Sequence, residues 1–561
     1  MAHSSSVFSR TPIELPNRSG FDVSHENMGT GTTGTLYPVL VDELLPNDTI
    51  SLGANLQVQL PPMATDFYGR VDYVLEAFFV PCRLLWGGWE SFMTHPTAGA
   101  QYPTGTPVMG KSKYMPLLEI PEAGNYDRFA ESLGAGTLAD YLGARGRSSN
   151  SDIGEITYTF NMLPFLAYHR IWDDWYRDSR IQSPLFFRPD ASYDPDITAQ
   201  HVSFKPYYAG GYNNADITYV NHDYAGDYPW QFFDGTSVMG LRQRNFAKDY
   251  FTTASYLPQA GNAATLTFEV DSNDTGTFSI AALRAANSLQ KWMERNNIAG
   301  YRYSDQIYAQ YGIYPSDAIM DKPIYLGRHV ENVYTRSVFQ TTREVGETTS
   351  NPFGSVGSKY GSSQVLGSGS LVDNIRVTEH GFLFVLASLV PHVNYSSGTR
   401  RYLKRRVVGD IAFPLLSGMG DQAIMKSELD SIYGAFSDVR GEELDEVFGY
   451  TDLYAEYKYH DDEVHGFLAD GNSLSSFALQ RSFSYDPTDV GLELGSEFLQ
   501  IPKEFLDQVF ATSTLVSEFS HWYDIYFTYK KVSTLPEYSL PTLADLKNVH
   551  TKYISRGGKR L

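Results

Sequence analysis

Apolar side chains recur at every second position near both ends of the chain. Ile50, Leu52, Ala54, Leu56, Val58 and Leu60 share one face of a first run, which Pro61-Pro62 ends. After a turn around Gly69, Val71, Tyr73, Leu75, Ala77 and Phe79 repeat the pattern up to Pro81. Near the other end Phe519, His521, Tyr523, Ile525, Phe527 and Tyr529 do the same. Successive side chains of a strand point to opposite faces, so this period predicts half-buried strands. Strands at both ends, with turn signals between, predict a sandwich or barrel. The longest strongly apolar run, Phe382–Val390, is far shorter than the ~20 residues a membrane helix needs. It predicts a strand buried on both faces, and no membrane insertion.

The middle of the chain changes period. Pro164 stands where a first helical turn tolerates it, followed at helical spacing by Ala167, Tyr168, Ile171, Trp172 and Trp175. Ala282, Ala286, Leu289 and Met293 predict a second helix, with Leu283 and Trp292 widening its apolar stripe. A third runs from Ser304, read as its N-cap, to Gly312. Two stretches read as long surface excursions: 187–240, rich in Tyr, Asp, Asn and Gly, and 343–372, dominated by Gly and Ser. No repeat at a fixed period of 20–50 residues is visible. The sum is a β-sandwich whose inter-strand loops have grown to carry a few helices.

Short motifs do not build an enzyme. Gly105-Thr-Pro-Val-Met-Gly110-Lys111-Ser112 matches a phosphate loop formally, but no strand precedes it and Pro116 stops a following helix. Gly29-Thr-Gly31-Thr-Thr-Gly34 precedes an extended segment instead of opening a helix, and reads as a flexible glycine-rich arm. Asp271–Gly276 begins like a calcium loop, but its twelfth position is Ala282. His460-Asp461-Asp462-Glu463-Val464-His465 carries metal-type ligands, yet consecutive side chains cannot converge on one ion, so a solvated turn is expected. Cys82 is the single cysteine, which excludes an intramolecular disulfide framework and Cys-based metal sites. No cofactor is implied. The competing classes are a hydrolase using the 105–112 loop and a secreted carbohydrate-binding sandwich; for the latter, the first ten residues lack the layout of a signal peptide.

Charge separates the remaining possibilities. Lys+Arg number 44 and Asp+Glu 65, a formal net charge of −21, which argues against a surface that binds nucleic acid throughout. Along the chain the charge is uneven. Arg400, Arg401, Lys404, Arg405 and Arg406 place five cations in seven residues, and Lys552, Arg556, Lys559 and Arg560 lie in a basic tail, 546–561. Residues 438–463 hold ten acids and two bases. The two basic clusters are candidate nucleic-acid contacts, with pairing to the 438–463 acids, within the chain or across subunits, as the alternative for the first.

Several segments resemble a known family in its own order. Phe21-Asp22-Val-Ser24-His25 and Leu36-Tyr-Pro38 through Pro46-Asn-Asp48-Thr49 are similar to the opening of the major capsid proteins of the Microviridae, small single-stranded DNA phages, and to their gokushovirus-like branch most of all. Phe78-Phe79-Val80-Pro81 through Trp89-Glu90-Ser-Phe92, Leu163-Pro164 through Trp175-Tyr176-Arg177-Asp178, and Lys248-Asp249-Tyr250-Phe251-Thr252 continue the resemblance. So do Leu283-Arg284 through Glu294-Arg295, Pro323 through Gly327, Thr378-Glu379-His380-Gly381, and Val447 through Tyr459.

The resemblance implies a mainly β fold: an eight-stranded viral jelly roll with long helix-bearing insertions, read as one domain over 1–561. Within it the expected parts are an N-terminal arm (1–35), a surface insertion (187–240), a helical insertion (278–312), a Gly/Ser-rich loop (343–372) and the basic tail. It implies pentamers and a T=1 icosahedral shell of sixty copies around circular single-stranded DNA, assembled in a bacterial cytoplasm. Further implied partners are a small basic DNA-packaging protein, a scaffolding protein, a DNA pilot protein and a host receptor. Such relatives carry a long insertion before the central helix; here only 261–277 fill that interval. The expectation is that 187–240, with Tyr207, Tyr208, Tyr212, Tyr224 and Trp230, takes the host-facing role.

Overall fold

The computed structural model describes residues 18–63, 68–86, 89, 93, 117–121, 134–144, 157–185, 219–220, 238–258, 280–299, 302–339, 359–417, 420–434, 436–437, 442–443, 445–483, 492–510 and 519–537. The phosphate-loop match, the calcium-loop match, the five aromatic candidates of 187–240 and the basic tail lie outside these residues.

The period-two segments become long strands. In chain order they are β1 (Ser19–Asp22), β2 (His25–Gly31), β3 (Thr35–Leu44), β4 (Thr49–Gln59) and β5 (Val71–Pro81), then β6 (Ile324–Asn332), β7 (Tyr334–Phe339), β8 (Lys359–Arg376), β9 (Gly381–Pro391) and β10 (His521–Ser533). One sheet has the order β1-β10-β4-β8-β7, with β2 also paired to β10; the other has β6-β5-β9-β3. All these pairings are antiparallel. Setting β1 and β7 aside, β2-β10-β4-β8 faces β3-β9-β5-β6, the strand order of a jelly roll with its two sheets packed face to face.

In β4 and β10 the alternation holds residue by residue. Ile50, Leu52, Ala54, Leu56 and Val58 are buried, as are Tyr523, Ile525, Phe527 and Tyr529, while the residues between them face outward. They meet Tyr37, Val39, Leu75, Leu383 and Val385 of the opposing sheet in one apolar core. Within it Tyr37 Oη lies 3.0 Å from Tyr73 Oη and hydrogen-bonds His521 Nε2. Burial pushes the His521 imidazole down to about 3, so it is neutral there.

Strand β5 departs from expectation: every residue of it is buried, on both faces. The cause is α1 (Leu163–Ile171), laid across the outside of the β3-containing sheet. Phe165, Tyr168 and Ile171 pack there with Phe78, Val80, Phe384 and Leu386 in a second apolar cluster. The same cover buries β9 on both faces, as its unbroken apolar run predicts. The polar residues of β5's outer face are partnered: Glu76 accepts from Arg244 at 2.8 Å and Tyr176 Oη at 2.6 Å.

Two glycine-rich segments read as loop and arm are strands instead. Residues 359–372 of the expected Gly/Ser-rich loop belong to β8, paired to both β4 and β7. Their small side chains serve close approach: a Cβ on Gly367 or Gly369 would strike Glu331 or His329 of β6, so the glycines let the two sheets close at this edge. Likewise 19–31 of the expected arm form β1 and β2, with Gly29 seated over Tyr523 and Gly31 against His521 and Tyr37.

The helical insertion contains α2 (Ile280–Ala299) and α3 (Tyr303–Tyr311). Arg302, not Ser304, is the N-cap of α3; Ser304 lies inside the first turn and its hydroxyl accepts from Lys322. Gly312, at φ 69°, closes the helix as expected. No described helix is long and apolar enough to cross a membrane.

Candidate nucleic-acid interface

Strand β9 leads into the basic segment. The chain turns at Thr399, whose N–H donates to Ser427 O at 2.9 Å, and Arg401–Lys404 forms one helical turn. This turn faces the acidic stretch that follows in sequence. Arg400 pairs with Glu463, Arg401 with Glu428 at 3.2 Å, Lys404 with Asp445 at 2.7 Å and Arg405 with Glu456 at 3.1 Å. The Arg405 guanidinium also lies 4.7 Å from the centre of the Tyr457 ring. Four of the five candidate cations thus hold acid partners of their own chain, three of them in the 438–463 stretch and the fourth, Arg401, at Glu428 outside it. Arg406 is exposed, its backbone N–H donating to Asp410 at 2.7 Å, and no ion pair engages its side chain among the described residues.

The acids respond to this setting. Burial raises the Glu428 carboxyl above its ordinary range, and the Arg401 charge only partly offsets it. Burial works against ionised Glu456 as well, but hydrogen bonding from Gln422 and the charge of Arg401 outweigh it and hold the group low.

A cleft of about 1080 Å³ is linked to this turn through Asp461, whose backbone carbonyl accepts from Arg400 at 3.5 Å. Trp175, Tyr176, Arg177 and Asp178 enter it from one segment and Lys248, Asp249 and Tyr250 from another, joined by Tyr395, Tyr459 and Asp461. Arg180 and Lys248 converge on Asp178; although burial opposes ionisation, these two cations drive its carboxyl well below the usual range. Asp461 goes the other way, pushed up to about 6 by burial and by the Asp249 carboxylate. The His460–His465 stretch is split between tasks: Asp461 lines the cleft, Glu463 holds Arg400, and His465 pairs with Glu463 at 2.9 Å. No metal-holding group of three or more His, Cys, Asp or Glu side chains exists among the described residues.

Sequence reasoning missed the cleft as a site. Its signal was present in Trp175–Asp178 and Lys248–Tyr250, two aromatic-and-charged segments that carry the family resemblance but lie far apart in the chain.

Comparison with known proteins gives the family. A profile described as capsid protein (F protein) matches residues 9–543. The capsid protein VP1 of Chlamydia phage 1 is 26% identical, with 96% of this chain and 97% of that protein aligned. The capsid protein VP1 of Bdellovibrio phage phiMH2K is 26% identical over 87% of this chain and 89% of its own length. That of Spiroplasma virus 4 is 22% identical over 94% and 95%. The match covers most of the chain and the described strands form a jelly roll, so the chain belongs to the phage capsid protein (F protein) family, and its role is structural.

Proposed function

We propose that this chain is the major subunit of a T=1 shell of sixty copies, built from pentamers around a circular single-stranded DNA genome in a bacterial cytoplasm. The observation that carries the reading is a jelly roll whose helical and loop insertions leave large apolar side chains in solvent: Trp292, Tyr311, Ile319, Val408 and Leu415 are each at least half exposed. Large apolar side chains left in solvent mark protein contacts where they gather into patches. The chain acts by self-association and not by catalysis. Partners of the same reading are a small basic packaging protein, scaffolding and pilot proteins, and a host receptor met by 187–240.

Genome contact falls to the tail cations Lys552, Arg556, Lys559 and Arg560, together with Arg406. Arg400, Arg401, Lys404 and Arg405 would have to exchange their acid partners to join. Negative-stain microscopy of the expressed protein tests the reading. Pentameric rings or closed shells are expected, and dispersed single subunits under all assembly conditions would reject it.

A further inference from the structure

The turn at 469–472 holds a reactive dipeptide. Asn472 N–H donates to Ala469 O at 3.2 Å, which puts Asp470 and Gly471 at the two central positions of the turn. Gly471 takes φ 75°, a conformation that suits glycine at this place in a turn, and a Cβ there would meet nothing within 4 Å. Residues 471–474 are exposed and Asp470 is half-buried. The Asp470 carboxylate is folded back against its own successor: Oδ1 accepts from the Gly471 N–H at 3.0 Å, and Oδ2 accepts from the Ser482 hydroxyl. The Asp470 N–H in turn donates to Ser396 Oγ at 3.2 Å. We propose that Asp470-Gly471 is a site of spontaneous covalent modification, where aspartate isomerises to isoaspartate. The proposal does not depend on the capsid reading.

Two features select this pair. The carboxyl carbon is one bond from Oδ1, so it already lies against the nitrogen that would attack it. That nitrogen is also open: among the described residues its N–H donates to no backbone carbonyl, and glycine puts no side chain in the way. Asp-Ser pairs elsewhere are held differently. The Ser431 N–H donates to Ser397 O at 2.8 Å, while Asp430 Oδ1 accepts from the Ile432 N–H instead. The Asp178 carboxylate before Ser179 is gripped by Arg180 and Lys248. Asp234-Gly235, the other Asp-Gly pair of the sequence, lies outside the described residues. The step balances with water alone. The Gly471 nitrogen loses its proton and bonds to Asp470 Cγ. One carboxyl oxygen leaves as water, taking up that proton and one from solvent, and a five-membered succinimide closes. A second water opens the ring at the main-chain carbonyl, which leaves the Gly471 nitrogen on Cγ and a free α-carboxylate. Mass and charge are unchanged, but the backbone gains one atom, and the carboxylate that Ser482 held becomes a main-chain amide.

Peptide mapping of the purified full-length chain, folded and unfolded in urea, tests this. Both samples are incubated near neutral pH and cut with trypsin; the peptide 459–481, bounded by Lys458 and Arg481, carries the site. Isoaspartate is located within it by electron-transfer fragmentation and counted by methyl transfer from an isoaspartyl methyltransferase. The expected result is isoaspartate accumulating at position 470 of the folded chain within about tenfold of the rate in the unfolded chain, because an exposed turn adds little protection. Slower accumulation than that, or none, would overturn the proposal, since the fold would then be guarding the pair. Asp470→Glu provides the second arm. It keeps the carboxylate but would have to close a six-membered ring, so the signal in this peptide should vanish. Persistence of the signal in that variant would place the modification at Asp461 or Asp462 and overturn the assignment.

Discussion

Single residues carry the pH dependence of the fold. His521 is buried beside Tyr37 with its folded pKa near 3, against about 6.5 in an unfolded chain. The unfolded state therefore binds the proton first, so stability is full above pH 6.5 and falls as pH drops toward 3. At pH 5 the loss amounts to about 2 kcal/mol from this imidazole. His169, fully buried and held low by burial and by Arg242, acts in the same direction. Urea midpoints of the unassembled chain between pH 7 and pH 4 check this, and His521→Gln should flatten the slope. Asp461 has the opposite sign. Its carboxyl, raised to about 6, keeps a proton in the native state that the unfolded chain has released above about 3.8, so stability falls as pH rises through that window. Asp461→Asn keeps an oxygen acceptor for the Tyr250 N–H while removing the repulsion from Asp249. The expectation is a gain of about 1–2 kcal/mol at pH 7.5, after discounting for partial exposure, that vanishes below pH 4. An unchanged midpoint at both values would remove Asp461 from this role.

At the scale of elements, the two faces of the β5–β9 sheet make separate demands. Phe384 is fully buried under α1, and Phe384→Ala should cost about 3–5 kcal/mol by calorimetry or urea unfolding. Leu366, on the solvent face of β8 and 55% exposed, should tolerate Ala within about 0.5 kcal/mol. Gly327 in β6 meets the β8 backbone so closely that any Cβ would strike the Leu371 carbonyl oxygen. Gly327→Ala should therefore destabilise by about 1–3 kcal/mol. These elements also mark how far the sequence could be read. The strands β4 and β10 were legible because one face meets the core and the other meets water, which writes a period of two. Strand β5 gave the right element with the wrong burial, since its outer cover, α1, comes some eighty residues later in the chain. Strand β8 was misread because glycine signals a flexible backbone locally, whereas here it lets β6 approach. The candidate site was legible as charge alone: the run at 400–406 is plain, but which acids answer it is a property of the fold.

The whole molecule places a closed apolar sandwich beside insertions that leave aromatic and aliphatic side chains in water. A net charge of −21 would keep such a chain soluble as a free subunit. Among the described residues four of the five cations at 400–406 pair with acids of the same chain, so the proposed genome contact rests on the tail and Arg406. Replacing Lys552, Arg556, Lys559 and Arg560 with Gln should lower DNA retention in purified particles and weaken its dependence on salt, leaving assembly intact. Unaltered packaging and salt slope would remove the tail from that role. The most direct measurement of the central claim is sedimentation velocity of the purified chain over a range of concentrations, followed by microscopy of the fractions. Association into pentamers or closed shells is the predicted result; a single species at the 62.9 kDa subunit mass at every concentration would contradict it.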